Sequence, residues 1–234
     1  MHRAIFVMQD FKFIASAIMA VLLGYLLFKR AKTSKQKQQL ANPHLLFGDI
    51  LPLLQNTRIE AGPSIGSWKA TGHYRNHFFQ LQTIVDMLAT RKLPSLWLMI
   101  TLPEPQPVTA TIDLMMRPTG PTSFSNFDFL NSTLRTPASF PEQAVIRTDD
   151  ESMATHIDRL TPHLDLFRGP RGKELLMSPK GLRIVLLAAE ADRARYGVFR
   201  EANFGATILD GVATQQSLDT LLSLHNSLKE PDAS

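Results

Sequence analysis

The sequence lacks cysteine altogether. That excludes disulfides, thiolate nucleophiles and cysteine-ligated zinc or iron–sulfur centres, while leaving the redox compartment open. Acidic residues are nearly missing from the N-terminal end. Residues 1–40 hold one acid, Asp10, against seven basic residues, so the +4 formal charge of the 234-residue chain arises there. The remainder, 41–234, carries 18 basic and 20 acidic residues and is mildly acidic. A nucleic-acid-binding domain carries its basic excess in the folded body, so no nucleic-acid partner is expected.

Charge is also missing from Phe13 to Phe28, FIASAIMAVLLGYLLF, which Lys12 and Lys29 close at either end. As a helix this run would be about 24 Å long at about 1.5 Å per residue. With Phe11 added and flanking lysines that snorkel, it reads as a retained single-pass transmembrane helix over 13–28. The Lys29-Arg30-Ala31-Lys32 that follows is a poor signal-peptide cleavage region. Lys29, Arg30, Lys32, Lys35 and Lys37 follow the run and only Arg3 and Lys12 precede it. The positive-inside rule then places the C-terminal body in the cytoplasm, with those five residues at the membrane surface facing anionic head groups. The expected partners are the lipid bilayer and another membrane protein or complex.

The body is expected to be one domain. The predicted organisation is a short tail over 1–12, the helix over 13–28, a basic linker over 29–43 and an α+β domain over 44–230. The predicted fold class is α+β: an N-terminal single transmembrane helix, then a mainly antiparallel sheet with two or three packed helices. A short helix around HLLFGDILPLLQ, broken near Pro52, opens the body. Strands are predicted over His77–Leu88, Leu96–Leu102, Val108–Met116 and Ala144–Thr148, where β-branched and aromatic residues lie between turn signals. Ser178-Pro179-Lys180-Gly181 reads as a hairpin turn between KELLM and GLRIVLLAAE. Residues 117–141 read as a surface loop with Phe124, Phe127 and Phe129 tucked against the body. A helix starting at Asp149-Asp150-Glu151 would place Met153, Ile157 and Leu160 on one face. A closing helix over Val212–Leu228 would carry Leu218, Leu221, Leu222 and Leu228 on its core side.

The chemistry in the sequence is sparse. Gly62-Pro63-Ser64-Ile65-Gly66 spells G-x-S-x-G, the form of a hydrolase nucleophile elbow. An elbow needs a buried strand before the serine and a helix after it. Arg58-Ile59-Glu60-Ala61 and Ser67-Trp68-Lys69-Ala70-Thr71-Gly72 supply neither, so a turn is the better reading. A membrane-tethered serine hydrolase using Ser64 is the alternative function. His73 and His77 stand four apart but flank a turn, and they lack an adjacent carboxylate. His156-x-Asp158 and His163-x-Asp165 repeat at seven, about 10.5 Å along a helix, too far apart for one ion. Gly169–Glu174 departs from the phosphate-loop pattern because Glu174 stands where Ser or Thr is needed. Residues 168–200 are rich in Arg and Lys, and internal pairing is the expected use of these charges. No catalytic residue, cofactor or metal is therefore predicted. The expected function is a binding, scaffold or accessory module at a membrane surface.

Overall fold

The computed structural model describes residues 18–19, 21–25, 40, 42–63, 66–87, 93–199, 202–205 and 207–230. Alternation of side chains builds its sheet. Strand β4 (Ser95–Leu102) buries Leu96, Leu98, Ile100 and Leu102 and leaves the intervening residues half-buried. In β3 (His77–Asp86), Phe79, Leu81 and Thr83 are buried the same way. Successive side chains of a strand point to opposite faces, so each strand offers one apolar row to a common core. The remaining strands are β1 (Gln55–Ala61), β2 (Trp68–Tyr74), β5 (Ile112–Met116), β6 (Ser132–Leu134), β7 (Ala144–Thr148), β8 (Gly172–Ser178) and β9 (Gly181–Glu190).

They form one nine-stranded sheet in the order β1-β2-β3-β4-β9-β8-β5-β7-β6. Its pairings are antiparallel throughout. Two turns fix the registers that matter most. β2 and β3 meet at Tyr74 and His77, joined by Arg75 and Asn76 with φ of 48° and 68°. Two left-handed residues in a two-residue loop match the twist of the strands they join. β8 and β9 meet at Ser178 and Gly181. Gly181 has φ of 152°, and a Cβ there would lie 2.4 Å from the Leu102 carbonyl oxygen.

Helices are few. α1 (Pro43–Leu46), α2 (Asp165–Arg168) and α3 (Arg193–Phe199) are short, and α4 (Gly211–Lys229) closes the chain. Asp210 caps α4 by accepting a hydrogen bond from the Ala213 amide. That bond is the main reason its carboxyl titrates below the ordinary value, and pairing with Arg171 adds to it. α4 packs on β4, β9 and a 3-10 segment over Glu151–His163. Leu218, Leu221 and Leu224 are fully buried there. Each such leucine stabilises the fold by roughly 1.5–3 kcal/mol.

The opposite face of the sheet has a smaller apolar cluster. Met115 and Val185 are covered by Phe124 and Phe127 from the β5–β6 connection, with Trp97 and Met99 at the margin. Phe129, expected to be tucked in with them, is 80% exposed.

The structure corrects three expectations. The fold is an antiparallel nine-stranded sheet with few helices, rather than an α+β body behind an N-terminal transmembrane helix. Among the described residues no helix is long and apolar enough to cross a membrane, and this overturns the single-pass signal anchor. The physical reason is length: the uncharged run is 16 residues, whereas a span needs about 20. Ile18, Met19 and Val21–Tyr25 are its described, helical part. Among the fully described helices the longest, α4, is studded with Thr, Gln, Asp and Asn and is no span either. The cytoplasmic, membrane-anchored placement of the body rested on that anchor and falls with it. Lys29, Arg30, Lys32, Lys35 and Lys37 lie outside the described residues.

Candidate functional site

Most residues singled out in the sequence are not gathered by the fold. Ser64 lies outside the described residues. His73 pairs across the β2–β3 ladder with Phe78 and His77 with Tyr74, so alternation places the two histidines on opposite faces. His156 is half-buried while His163 is buried. Burial holds His163 below the usual histidine range. Gly172, Lys173 and Glu174 are not a phosphate loop but the first residues of β8. Within the basic stretch, Lys173 Nζ donates to the Met116 and Arg117 carbonyls at 2.6 and 2.9 Å. Arg171 pairs with Asp210, and Arg183 with Glu174.

What the fold does gather is a polar cluster at one end of α4. His77 is brought there by the tight β2–β3 turn. Glu104 and Gln106 come from the β4–β5 connection, where the Gln106 amide donates to the Pro179 carbonyl at 3.1 Å and ties the connection to the β8–β9 turn. His225 comes from the buried side of α4, one turn from Leu221 and Leu228. Its ring is 1% exposed, against 30% and 29% for the side chains of His77 and Glu104.

The geometry is closely specified. His77 Nδ1 is 2.9 Å from Glu104 Oε1, and His225 Nε2 is 3.2 Å from Glu104 Oε2. The two imidazoles stand edge to face, with centroids 5.6 Å apart. Gln106 Nε2 donates to the Glu104 backbone carbonyl at 2.7 Å, which turns Gln106 Oε1 toward His225 Nδ1 at 3.0 Å. An amide oxygen only accepts, so His225 carries a proton on Nδ1. Burial holds this histidine below its ordinary value; Lys229 acts in the same direction and Glu104 opposes it. The ring is therefore neutral at physiological pH, with its lone pair on Nε2. Sequence reasoning paired His77 with its near neighbour His73. Its true companions are 27 and 148 positions away, and no local spacing marks them.

A second cluster lies under the loop on the opposite face. Asp113 and Glu174 are almost completely buried, with Arg183 Nε donating to Glu174 Oε2 at 3.0 Å and Ser125 Oγ to Asp113 Oδ2 at 3.3 Å. Burial first, then the Glu174 charge and a hydrogen bond to it, push the Asp113 carboxyl well above the usual range. Burial and an adjacent negative charge both favour the neutral form of the Asp113 carboxyl.

Two concavities lie among the described residues. A cavity of about 50 Å³ lies beside Arg171 and Asp210, below the about 300–1,000 Å³ of ligand clefts. An open groove of about 500 Å³ runs along the outer side of α4.

The molecule is thus of the class of open antiparallel sheets covered by helix on one face. No protein-family model matches the chain, and no curated protein matches it. Among solved structures it is similar to the crystal structure of the mycobacterial trehalose monomycolate transport factor A, TtfA, at 8% identity. That likeness covers 86% of this chain and 97% of that one with a TM-score of 0.41.

Proposed function

We propose that the chain is a binding or accessory module, acting through a surface rather than through covalent catalysis. The observation that carries this reading is the groove along α4. Gln215, Gln216, Asp219, Thr220 and Ser223 line one side of it at helical spacing, with Pro162 and His163 across from them. Its volume suits a ligand, and its lining mixes amide and hydroxyl groups with the apolar surface of Val212 and Pro162, so hydrogen bonds and apolar contact would share the recognition. Gln, Thr and Ser both donate and accept, as the peptide groups of an extended polypeptide do. The occupant that fits is a polar segment of a partner polypeptide. The groove floor is firm: Asp219 Oδ1 accepts from the Tyr74 hydroxyl at 2.9 Å and pairs with Arg75 at 3.0 Å.

The test is photo-crosslinking in the native cell from a reactive residue placed at Gln216 or Ser223, both exposed. Thr133, exposed on β6 at the far edge of the sheet, is the control position. A discrete crosslinked polypeptide from the groove positions and none from Thr133 is the expected result. Equal labelling from all three positions would refute the groove. Fluorophosphonate labelling lost in Ser64→Ala would replace the binding reading with a hydrolase.

A further inference from the structure

We propose that His77 Nδ1, the Glu104 carboxylate and His225 Nε2 form a binding site for a divalent transition-metal ion of the zinc class. Three features of the cluster converge on this.

The first is the set of donors. Two imidazoles and one carboxylate, with solvent completing the shell, are a ligand set for zinc and for neighbouring first-row ions. Magnesium and calcium prefer oxygen throughout, so two nitrogens of three disfavour them.

The second is distance. Donors about 2.0–2.1 Å from one ion lie no more than about 4.2 Å apart, and a tetrahedral pair about 3.3–3.4 Å apart. The two nitrogen–oxygen separations are 2.9 and 3.2 Å, and the ligand atoms all fall within 4.8 Å of one another. The closure that completes the set is at most about 1.4 Å, from the 4.8 Å limit to tetrahedral spacing. His77, at the mouth of the cluster and 30% exposed, has the room to make it.

The third is the orphaned atom. His225 Nε2 is fully buried and has no hydrogen-bond partner, although Glu104 Oε2 lies 3.2 Å away. In the tautomer that Gln106 sets, neither atom carries a proton to share. A cation between two such acceptors removes their repulsion, which is what coordination would supply. Gln106 completes the arrangement. By accepting the Nδ1 proton it leaves the Nε2 lone pair free and aimed into the cluster, the role an outer-shell partner plays for a metal-bound histidine.

The ion would join three separate parts of the chain: the start of β3, the β4–β5 connection and α4. Binding is then linked to the docking of α4 on the sheet, and it raises the stability of the folded form by mass action. This inference is independent of the groove, which lies on the outer side of the same helix.

The test uses the full chain, stripped with a chelator and titrated with Zn²⁺ alone or Co²⁺ alone. The expected result is one ion per chain, visible Co²⁺ absorption that Zn²⁺ displaces, and a melting temperature that climbs with Zn²⁺ concentration. Glu104→Gln and His77→Ala change half-exposed positions and should fold as the parent does without metal. Each should weaken Zn²⁺ by at least the about 10–100-fold that losing an outer-shell partner costs. His73→Ala, on the other face of the sheet, should leave the affinity unaltered. If one ligand variant fails to fold, the other decides, because the loss of any one ligand opens the site. Binding that survives both variants, or a parent chain whose melting is indifferent to Zn²⁺, overturns the proposal. The cluster would then be a plain polar staple between helix and sheet.

Discussion

The two faces of the sheet are closed by different means. On one, Leu98, Ile100, Leu114, Leu175 and Ile184 share one buried apolar cluster with Leu218, Leu221 and Leu224 of α4, which packs on β4 and β9. On the other, a connection without a long helix lays Phe124 and Phe127 over Met115 and Val185, and the same enclosure holds Asp113, Glu174 and part of Arg183. Helix α4 brings a repeating apolar stripe and satisfies its own backbone groups, so it can exclude water over a long contact. The loop brings two aromatic rings and must satisfy its backbone locally. The helix-covered face should therefore set the global stability, and the loop-covered face its response to pH.

The largest expected effect tests the first half of that contrast. Leu221→Ala removes a fully buried side chain between α4 and the sheet. The cost should be about 2–5 kcal/mol, a large share of a domain's about 5–15 kcal/mol. Chemical denaturation of parent and variant measures it, and an unchanged midpoint would mean that α4 is not part of the cooperative core.

A smaller effect tests the second half. Asp113 titrates above the ordinary carboxylate value in the folded chain, so between the two values the folded state binds the extra proton. Its contribution is present below the unfolded value and is lost as pH rises through the folded one. His163 and His225 are displaced downward by burial, and their contributions run the other way, growing as pH rises toward the unfolded histidine value. The Asp113 share is isolated by comparison with Asp113→Asn, which stays neutral. The variant's melting temperature, relative to the parent's, should increase steadily from acid to neutral pH. A difference that does not change with pH would show that Asp113 carries no buried proton.

The smallest effect separates residues within the loop. Phe129→Ser should change stability by less than about 0.5 kcal/mol, because the ring is 80% exposed, unlike Phe124 and Phe127. A larger loss in thermal melting would place Phe129 in the cover of the second face.

Strongly patterned segments were legible in the sequence. GLRIVLLAAE is β9 itself, and the C-terminal periodicity of Leu218, Leu221, Leu222 and Leu228 marks α4 to within a residue or so at each end. Segments without that pattern were misread. β1 is exposed along nearly its whole length and carries Asn56 at φ of 53°, so it shows no apolar row to read. β2, WKATGHY, keeps its alternation in Ala70, Gly72 and Tyr74, too small a signal beside a glycine-rich turn. The expected strand over Val108–Met116 begins only at Ile112. The helix expected after Asp149 is 3-10 over Glu151–His163, with Pro162 inside it and unable to donate an α-helical hydrogen bond. The uncharged run over 13–28 was over-read, since hydropathy was allowed to outweigh a length short of a span.

Of the candidate site, His77 drew notice in the sequence with the wrong companion, and nothing there joined it to Glu104 or His225. Composition, periodicity and turn chemistry act over a few residues, so the sequence by itself determined β9, the hairpin before it, α4, and the absence of thiol chemistry. The meeting of His77, Glu104, Gln106 and His225, and the burial of Asp113 beside Glu174, were decided only by tertiary structure. Those contacts depend on strand register and on how α4 lies against the sheet. A register displaced by one residue would send every side chain of the strand to the other face.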